Sequence, residues 1–346
     1  MRVHESIVIG AGQAGLASSY HLARRGIDHL VLDADATPGG AWQHRWDSLT
    51  MDDVHGIADL PGAPAPGRDE ARANLVLPGW FAAYEREHAL PVVRPVVVDR
   101  VTSDGELLVV HAGERTWTTR TIVNATGTWT RPFVPHYPGT GTFHGEQLHT
   151  VDYPGAEHFR GRRVVVVGGG ASAVQLLGEI APVTDTLWVT RRPPVWRSGD
   201  FDREAGRAAV ALVAERVRRG LPPASVVSVT GLALREQEHQ AELLGAYARR
   251  PMFDRVEPDG VRWADGSFEA VDVILWATGF RPAVTHLGPL HLRSVHGGIQ
   301  LDGTTAVADP RVQLVGYGPS ASTIGANRAG RAAAIAVARQ VGDRAA

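Results

Sequence analysis

The 346-residue sequence contains no cysteine. Disulfide bonds, thiolate metal sites and dithiol redox chemistry are therefore excluded. Nor is there an excess of charge: 35 Lys and Arg face 37 Asp and Glu, for a formal net charge of −2. That balance argues against a general nucleic-acid binder, which would carry a basic excess or stripe. No apolar run approaches the ~18 residues a bilayer span needs. Repeats and low-complexity tracts are missing, and the chain enters Ile7-Val8-Ile9 without a leader pattern. The expectation is a soluble, cytoplasmic protein that engages neither nucleic acid nor membrane and holds no metal.

Glycine, by contrast, is abundant, with 39 residues, and its placement is informative. The apolar run Ile7-Val8-Ile9 leads into Gly10-x-Gly12-x-x-Gly15, followed by Ala17, Tyr20, Leu22 and Ala23 at helical spacing. Strand, tight turn and helix in that order form a dinucleotide fingerprint. Gly10 permits the turn, Gly12 lets backbone approach a pyrophosphate, and Gly15 allows close packing of helix on strand. Gln13 and Ala14 open the helix, whose free amides suit a phosphate. The next apolar run, His29 to Leu32, ends at Asp33, an acid placed to accept both ribose hydroxyls of an unphosphorylated adenosine.

A second copy runs Val164 to Val167, then Gly168-x-Gly170-x-x-Ala173, with Ser172 inside the turn and Ala173 in place of the last glycine. Its following strand, Leu187 to Thr190, ends in Arg191 and Arg192 instead of an acid. A guanidinium can grip a 2′-phosphate that a carboxylate would repel. The second site is thus expected to prefer NADPH over NADH; the alternative is a pair of solvated arginines at a strand end.

Between the two fingerprints lies Phe143-x-Gly145-x-x-x-His149-x-x-x-Tyr153. On this pattern, flanked by both glycine motifs, the chain resembles the class B flavin monooxygenases, a group that includes flavin-containing N- and S-oxygenases and Baeyer–Villiger enzymes. Gly39-Gly40-Ala41-Trp42, Ala125-Thr126-Gly127 and Ala277-Thr278-Gly279 match the same family. The resemblance implies FAD at the first site and NADPH at the second, with Gly40, Trp42, Val98, Ala125, Thr126, Gly127, Thr278 and Gly279 among the cofactor contacts. It also implies that O2 adds to the reduced flavin and that the resulting C4a-(hydro)peroxyflavin passes one oxygen atom to a small N, S or carbonyl substrate. His149 and Arg250 are the catalytic candidates. Against them stand a structural hydrogen bond for His149 and a helix-end dipole contact for Arg250. Two other readings stay open, an NADPH oxidase or reductase and a nucleotide-sensing flavoprotein without turnover. A second copy of the chain is kept as a partner.

The expected fold is α/β with two Rossmann-like domains, an FAD domain of residues 1–154 and 270–346 and an NADPH domain of residues 155–269 inserted in it. Within it, residues 92–124 read as short strands with Val98 in the first of them, and residues 130–160 read as a linker. Helices are expected over residues 78–88, 201–219 (basic and amphipathic) and 232–247. Tyr153 where Baeyer–Villiger members usually carry Trp shifts weight toward heteroatom oxygenation. No Asn occurs in residues 52–66, where N-oxygenating relatives place one, and Gly316-Tyr317-Gly318 lacks an acid for the ribityl chain.

Overall fold

The computed structural model describes residues 2–54, 57–196, 203–223, 231–235 and 238–342. The chain divides into two compact units, one of residues 1–130, 207–226 and 282–346, the other of residues 131–206 and 227–281.

Chain order begins with β1 (Val3–Ile9), α1 (Gln13–Ala23), β2 (His29–Leu32), α2 (Ala73–Glu87), β3 (Val92–Val93), β4 (Arg100–Asp104), β5 (Leu107–Ala112) and β6 (Arg115–Asn124). Next come β7 (Glu146–His149), β8 (Val164–Val167), α3 (Ala171–Ile180), β9 (Thr186–Thr190), α4 (Arg203–Arg218) and α5 (His239–Leu243). Five short strands follow: β10 (Arg250–Pro251), β11 (Arg255–Glu257), β12 (Gly260–Arg262), β13 (Phe268–Ala270) and β14 (Val273–Trp276). The chain closes with β15 (Leu301–Asp302), β16 (Thr305–Ala306), β17 (Val312–Leu314) and α6 (Thr323–Gly342).

In the first unit β17, β6, β1, β2 and β3 run parallel in that order, with β15 and β16 added antiparallel at one edge and β4 and β5 joined through β6. Ile7, Val8 and Ile9 are buried, as a strand covered on both faces requires. Helices α1 and α6 cross closely on one face. A Cβ at Gly330 would lie 2.8 Å from the Ser18 backbone nitrogen, so only glycine permits the crossing. The second unit holds a parallel sheet in the order β10-β9-β8-β14-β7 and a separate antiparallel meander of β11, β12 and β13. All four valines of β8 are buried.

Several expectations are corrected. Val98 lies outside any strand, in the stretch between β3 and β4. Helix α2 starts at Ala73, ahead of the expected residue 78, and keeps Pro78 inside it. Proline ordinarily breaks a helix because it lacks the N–H and crowds the preceding turn. Here its ring supports the Gly39 turn, where a Cβ would come within 2.9 Å of it. The supposed linker contains β7, which pairs with β14 from Glu146 to His149. Among the described residues of 232–247 only His239–Leu243 is α-helical, because Gly245, at positive φ, ends the turn and Leu232 bridges to Trp196. Helix α4 is amphipathic as expected, with Val213 and Val217 buried and Arg216, Arg218 and Arg219 exposed. Its expected first residues, 201 and 202, and the side chain of Arg207 lie outside the described residues.

Candidate functional site

Both units build the same turn from the same parts. In the first, β1 pairs with β6 so that Ile9 faces Asn124, and the chain turns at Gly10, whose N–H donates to the Leu32 carbonyl at 2.8 Å. A Cβ on Gly10 would lie 2.7 Å from the Ala125 carbonyl oxygen, and one on Gly15 would lie 1.9 Å from the Gly10 carbonyl oxygen. At Gly12 the same construction meets nothing within 4 Å. Two of the three glycines are thus demanded by the protein itself, and the middle one faces open space, as a pyrophosphate cradle needs.

In the second unit Val167 faces Trp276, and the Gly168 N–H donates to the Val189 carbonyl at 3.0 Å. A Cβ on Gly168 would lie 2.1 Å from the Ala277 carbonyl oxygen, whereas at Gly170 nothing is met within 4 Å. Ala173 occupies the third position fully buried. Gly12 and Gly170 are the N-caps of α1 and α3, and neither helix has a side-chain cap or an acid in its first turn. Their leading amides are therefore available to an anion.

Other segments complete each cradle. Gly40 folds over the first turn, where a Cβ would lie 2.9 Å from the Gly12 Cα. Gly127 follows Ala125 and Thr126 with positive φ, and Gly316 comes beside it. Thr126 donates its hydroxyl to the Ala283 carbonyl at 2.6 Å, while the Ala283 N–H donates to the Gly127 carbonyl at 2.9 Å. The matching Thr278 donates to the Phe133 carbonyl, and Gly279 again has positive φ.

The residues after the second strands differ most. Asp33 is buried, receives an N–H from Ala11 of the glycine turn, and pairs with Arg94 at 3.0 Å. Burial raises its pKa while Arg94 pulls the other way. The guanidinium of Arg94 also holds both oxygens of Glu85 at 2.7 Å, tying α2 to the end of β2. Sequence reasoning missed Arg94 and Glu85, since nothing in local spacing marks a pair brought together across the sheet edge. Arg191 and Arg192 are exposed, and beneath them Thr190 accepts from Arg249 Nε at 2.6 Å.

The segment that carries the resemblance is explained by its contacts. A Cβ on Gly145 would lie 2.3 Å from the Asp272 carbonyl oxygen, so β7 can approach only as glycine. His149 is buried at the end of β7; its Nε2 donates to the Gly279 carbonyl at 3.1 Å and its Nδ1 accepts the Val151 N–H at 3.3 Å. That pattern requires the neutral ring, and burial lowers its pKa. Tyr153 donates to Glu179 of α3 at 3.0 Å and stacks on Phe159. His149 is thus a neutral clip between β7 and the Ala277-Thr278-Gly279 turn. Arg250 pairs with Glu269 at 2.7 Å and lies 3.9 Å over the Trp263 ring, committed to the three-stranded meander.

A further residue without a sequence signal is His286, whose Nε2 donates to Asn124 Oδ1 at 2.7 Å at the end of β6. Burial lowers its pKa to about 4, so the ring is neutral. No cluster suited to a metal ion occurs among the described residues. No helix among them is long and apolar enough to cross a membrane.

A family model described as pyridine nucleotide-disulphide oxidoreductase matches residues 7–206. A solved flavin-containing monooxygenase from Stenotrophomonas maltophilia is 37% identical, with full coverage of both chains and a TM-score of 0.84. The chain belongs to the class B flavin-dependent monooxygenases. With no cysteine, this monooxygenase shares the pyridine-nucleotide framework of the matched family model and not its disulphide chemistry. A Baeyer-Villiger monooxygenase from Streptomyces coelicolor is 31% identical over 64% of the chain, and the chain covers 45% of that protein's length. A structure of OTEMO in complex with FAD and NADP shares the fold, at 16% identity, a TM-score of 0.64, and coverage of 98% of this chain and 85% of that one.

Proposed function

We propose that this monooxygenase holds FAD in its first unit and NADPH in its second, and uses O2 to place one oxygen atom on a small substrate bearing a soft nitrogen or sulfur, or a carbonyl. The observation that carries the reading is the duplicated turn, with open space at Gly12 and Gly170 and opposite charge after the second strand of each unit. Asp33 suits a free ribose, and Arg191 with Arg192 suits a 2′-phosphate.

Bound flavin would supply the redox chemistry with NADPH and O2. The chain's own groups bind and orient. Gly10, Gly12, Gln13, Ala14 and Gly15 would receive the FAD pyrophosphate, with Gly40, Trp42 and the Ala125-Thr126-Gly127 turn beside it. Gly168, Gly170, Ser172 and Ala173 would do the same for NADPH. His149 shapes the Gly279 turn and moves no proton, because both ring nitrogens are engaged.

The test is oxidation of a thioether and of a cyclic ketone by the FAD-loaded protein with NADPH under 18O2. Incorporation of one labelled atom into sulfoxide or lactone, with NADPH consumed in equal amount, is expected. Peroxide release matching NADPH consumption without label in product would move the reading to an NADPH oxidase, and no NADPH consumption at all would move it to a nucleotide sensor.

A further inference from the structure

The first unit holds a largely desolvated cation beside which no carboxylate stands among the described residues. Arg45 follows the short 3-10 turn Gly40–His44, and its guanidinium carbon lies 5.5 Å from the Trp42 ring, 5.8 Å from Trp46 and 4.6 Å from Trp129. Its Nε is buried and meets no acceptor among the described residues. Burial lowers its pKa to about 10, so it remains a cation at neutral pH.

Arg94, the other arginine largely withdrawn from solvent in this unit, has two carboxylates, Asp33 and Glu85. Aromatic faces offset part of the cost of burying a guanidinium. They do not use its in-plane N–H groups, which are built to meet two oxygens at once. A desolvated charge left without a counter-ion is costly to keep.

The backbone that carries it is held firmly. Gln43 Nε2 donates to Asp35 at 3.0 Å, Asn74 Nδ2 donates to the Arg45 carbonyl at 2.9 Å, and His44 stacks in parallel on Trp129. The location is also suggestive of a ligand. Gly40 at the start of the turn touches Gly12 of the phosphate-binding turn, and Trp129 lies two residues beyond Gly127.

We propose that Arg45, set among Trp42, Trp46 and Trp129, is an oxyanion-binding site for a small-molecule ligand, its guanidinium taking a carboxylate or phosphate oxygen that no described residue supplies. Two sources share this chemistry, the carboxylate of a planar organic acid bound as substrate and a phosphate of the dinucleotide. The inference is independent of oxygen transfer, because it concerns binding alone.

The experiment titrates the FAD-loaded protein with benzoate, benzamide and inorganic phosphate while following tryptophan fluorescence, for wild type, R45Q and R45K, and measures FAD retained per chain after gel filtration. Benzoate is expected to change the indole signal in wild type, with benzamide at least about tenfold weaker and R45Q losing the response. R45K, which keeps charge without the planar fork, falls between. If R45Q instead loses FAD while benzoate has no effect on wild type, the oxyanion is the cofactor's and the site stands. Melting temperatures of R45Q and R45K separate misfolding from loss of binding. Wild-type FAD retention in a folded R45Q, together with no benzoate or phosphate response in wild type, would overturn the proposal, and would do so whatever the outcome under 18O2.

Discussion

The two units carry turns held by matching contacts and differ in how they treat charge. In the first, the residue after the second strand is an acid, buried and locked between Arg94 and the Ala11 N–H. In the second, it is a pair of arginines standing in solvent. A cofactor retained through turnover is served by a preorganised, desolvated contact, whereas one that exchanges each cycle is served by an exposed charge that can capture and release it. On the proposed function, the glycine turns set what kind of ligand each unit takes, and the surroundings of the charge set on what terms.

The comparison can be broken most severely at Arg94. Its replacement by Met leaves Asp33 and Glu85 without a counter-charge, at an expected cost of about 3–5 kcal/mol in denaturant unfolding. The corresponding deletion of an exposed charge, Arg192→Met, is expected to change stability by no more than about 0.5 kcal/mol. Equal effects would remove the distinction drawn between the units.

A smaller effect is expected at the third fingerprint position. Gly15→Ala puts a Cβ into the Gly10 carbonyl and is expected to cost about 2–3 kcal/mol with loss of FAD on gel filtration. Ala173→Gly in the other unit is expected to cost only about 1 kcal/mol, the helix-propensity difference.

The nucleotide preference sharpens the contrast kinetically. Arg191→Ala with Arg192→Ala is expected to lower the NADPH over NADH ratio of kcat/KM about 10- to 100-fold while FAD content stays at the wild-type level. An unchanged ratio would return the pair to solvated surface arginines.

The smallest effect concerns pH. His286 and His149, one in each unit, are both held below the usual histidine value by burial, His286 at about 4. Since the unfolded state takes up the proton first, their contribution is complete above about pH 6.5 and is lost as pH falls toward 4. Melting temperature measured from pH 7.5 to 5 is expected to fall, and His286→Asn is expected to reduce that slope by roughly 2 kcal/mol over the range. A wild-type curve flat to pH 5 would contradict it.

Much of the nucleotide machinery was readable in the chain because it is local: a strand, three glycines and a helix occupy consecutive positions, and Asp33 and Arg191 each stand at the end of a strand only 23 residues after the turn's first glycine. The role of the Phe143-to-Tyr153 segment was not readable. Its glycine, histidine and tyrosine answer to Asp272, Gly279 and Glu179, which are distant in sequence, and the same remoteness turned β7 into an apparent linker. Arg250 was a catalytic candidate, yet its contacts with Glu269 and Trp263 come from a meander no periodicity announced.

By itself, then, the sequence determined that two dinucleotide folds are present, that thiols take no part, and that opposite charges follow the two turns. Backbone geometry at close range depends on which residues lack a Cβ, and that is written in order along the chain. Tertiary structure alone decided that Asp33 is neutralised by Arg94, that His149 is a neutral clip, and that Arg45 stands among three tryptophans with no carboxylate beside it among the described residues. Burial and charge pairing depend on what long-range folding brings within a few ångströms, and no local pattern records that distance.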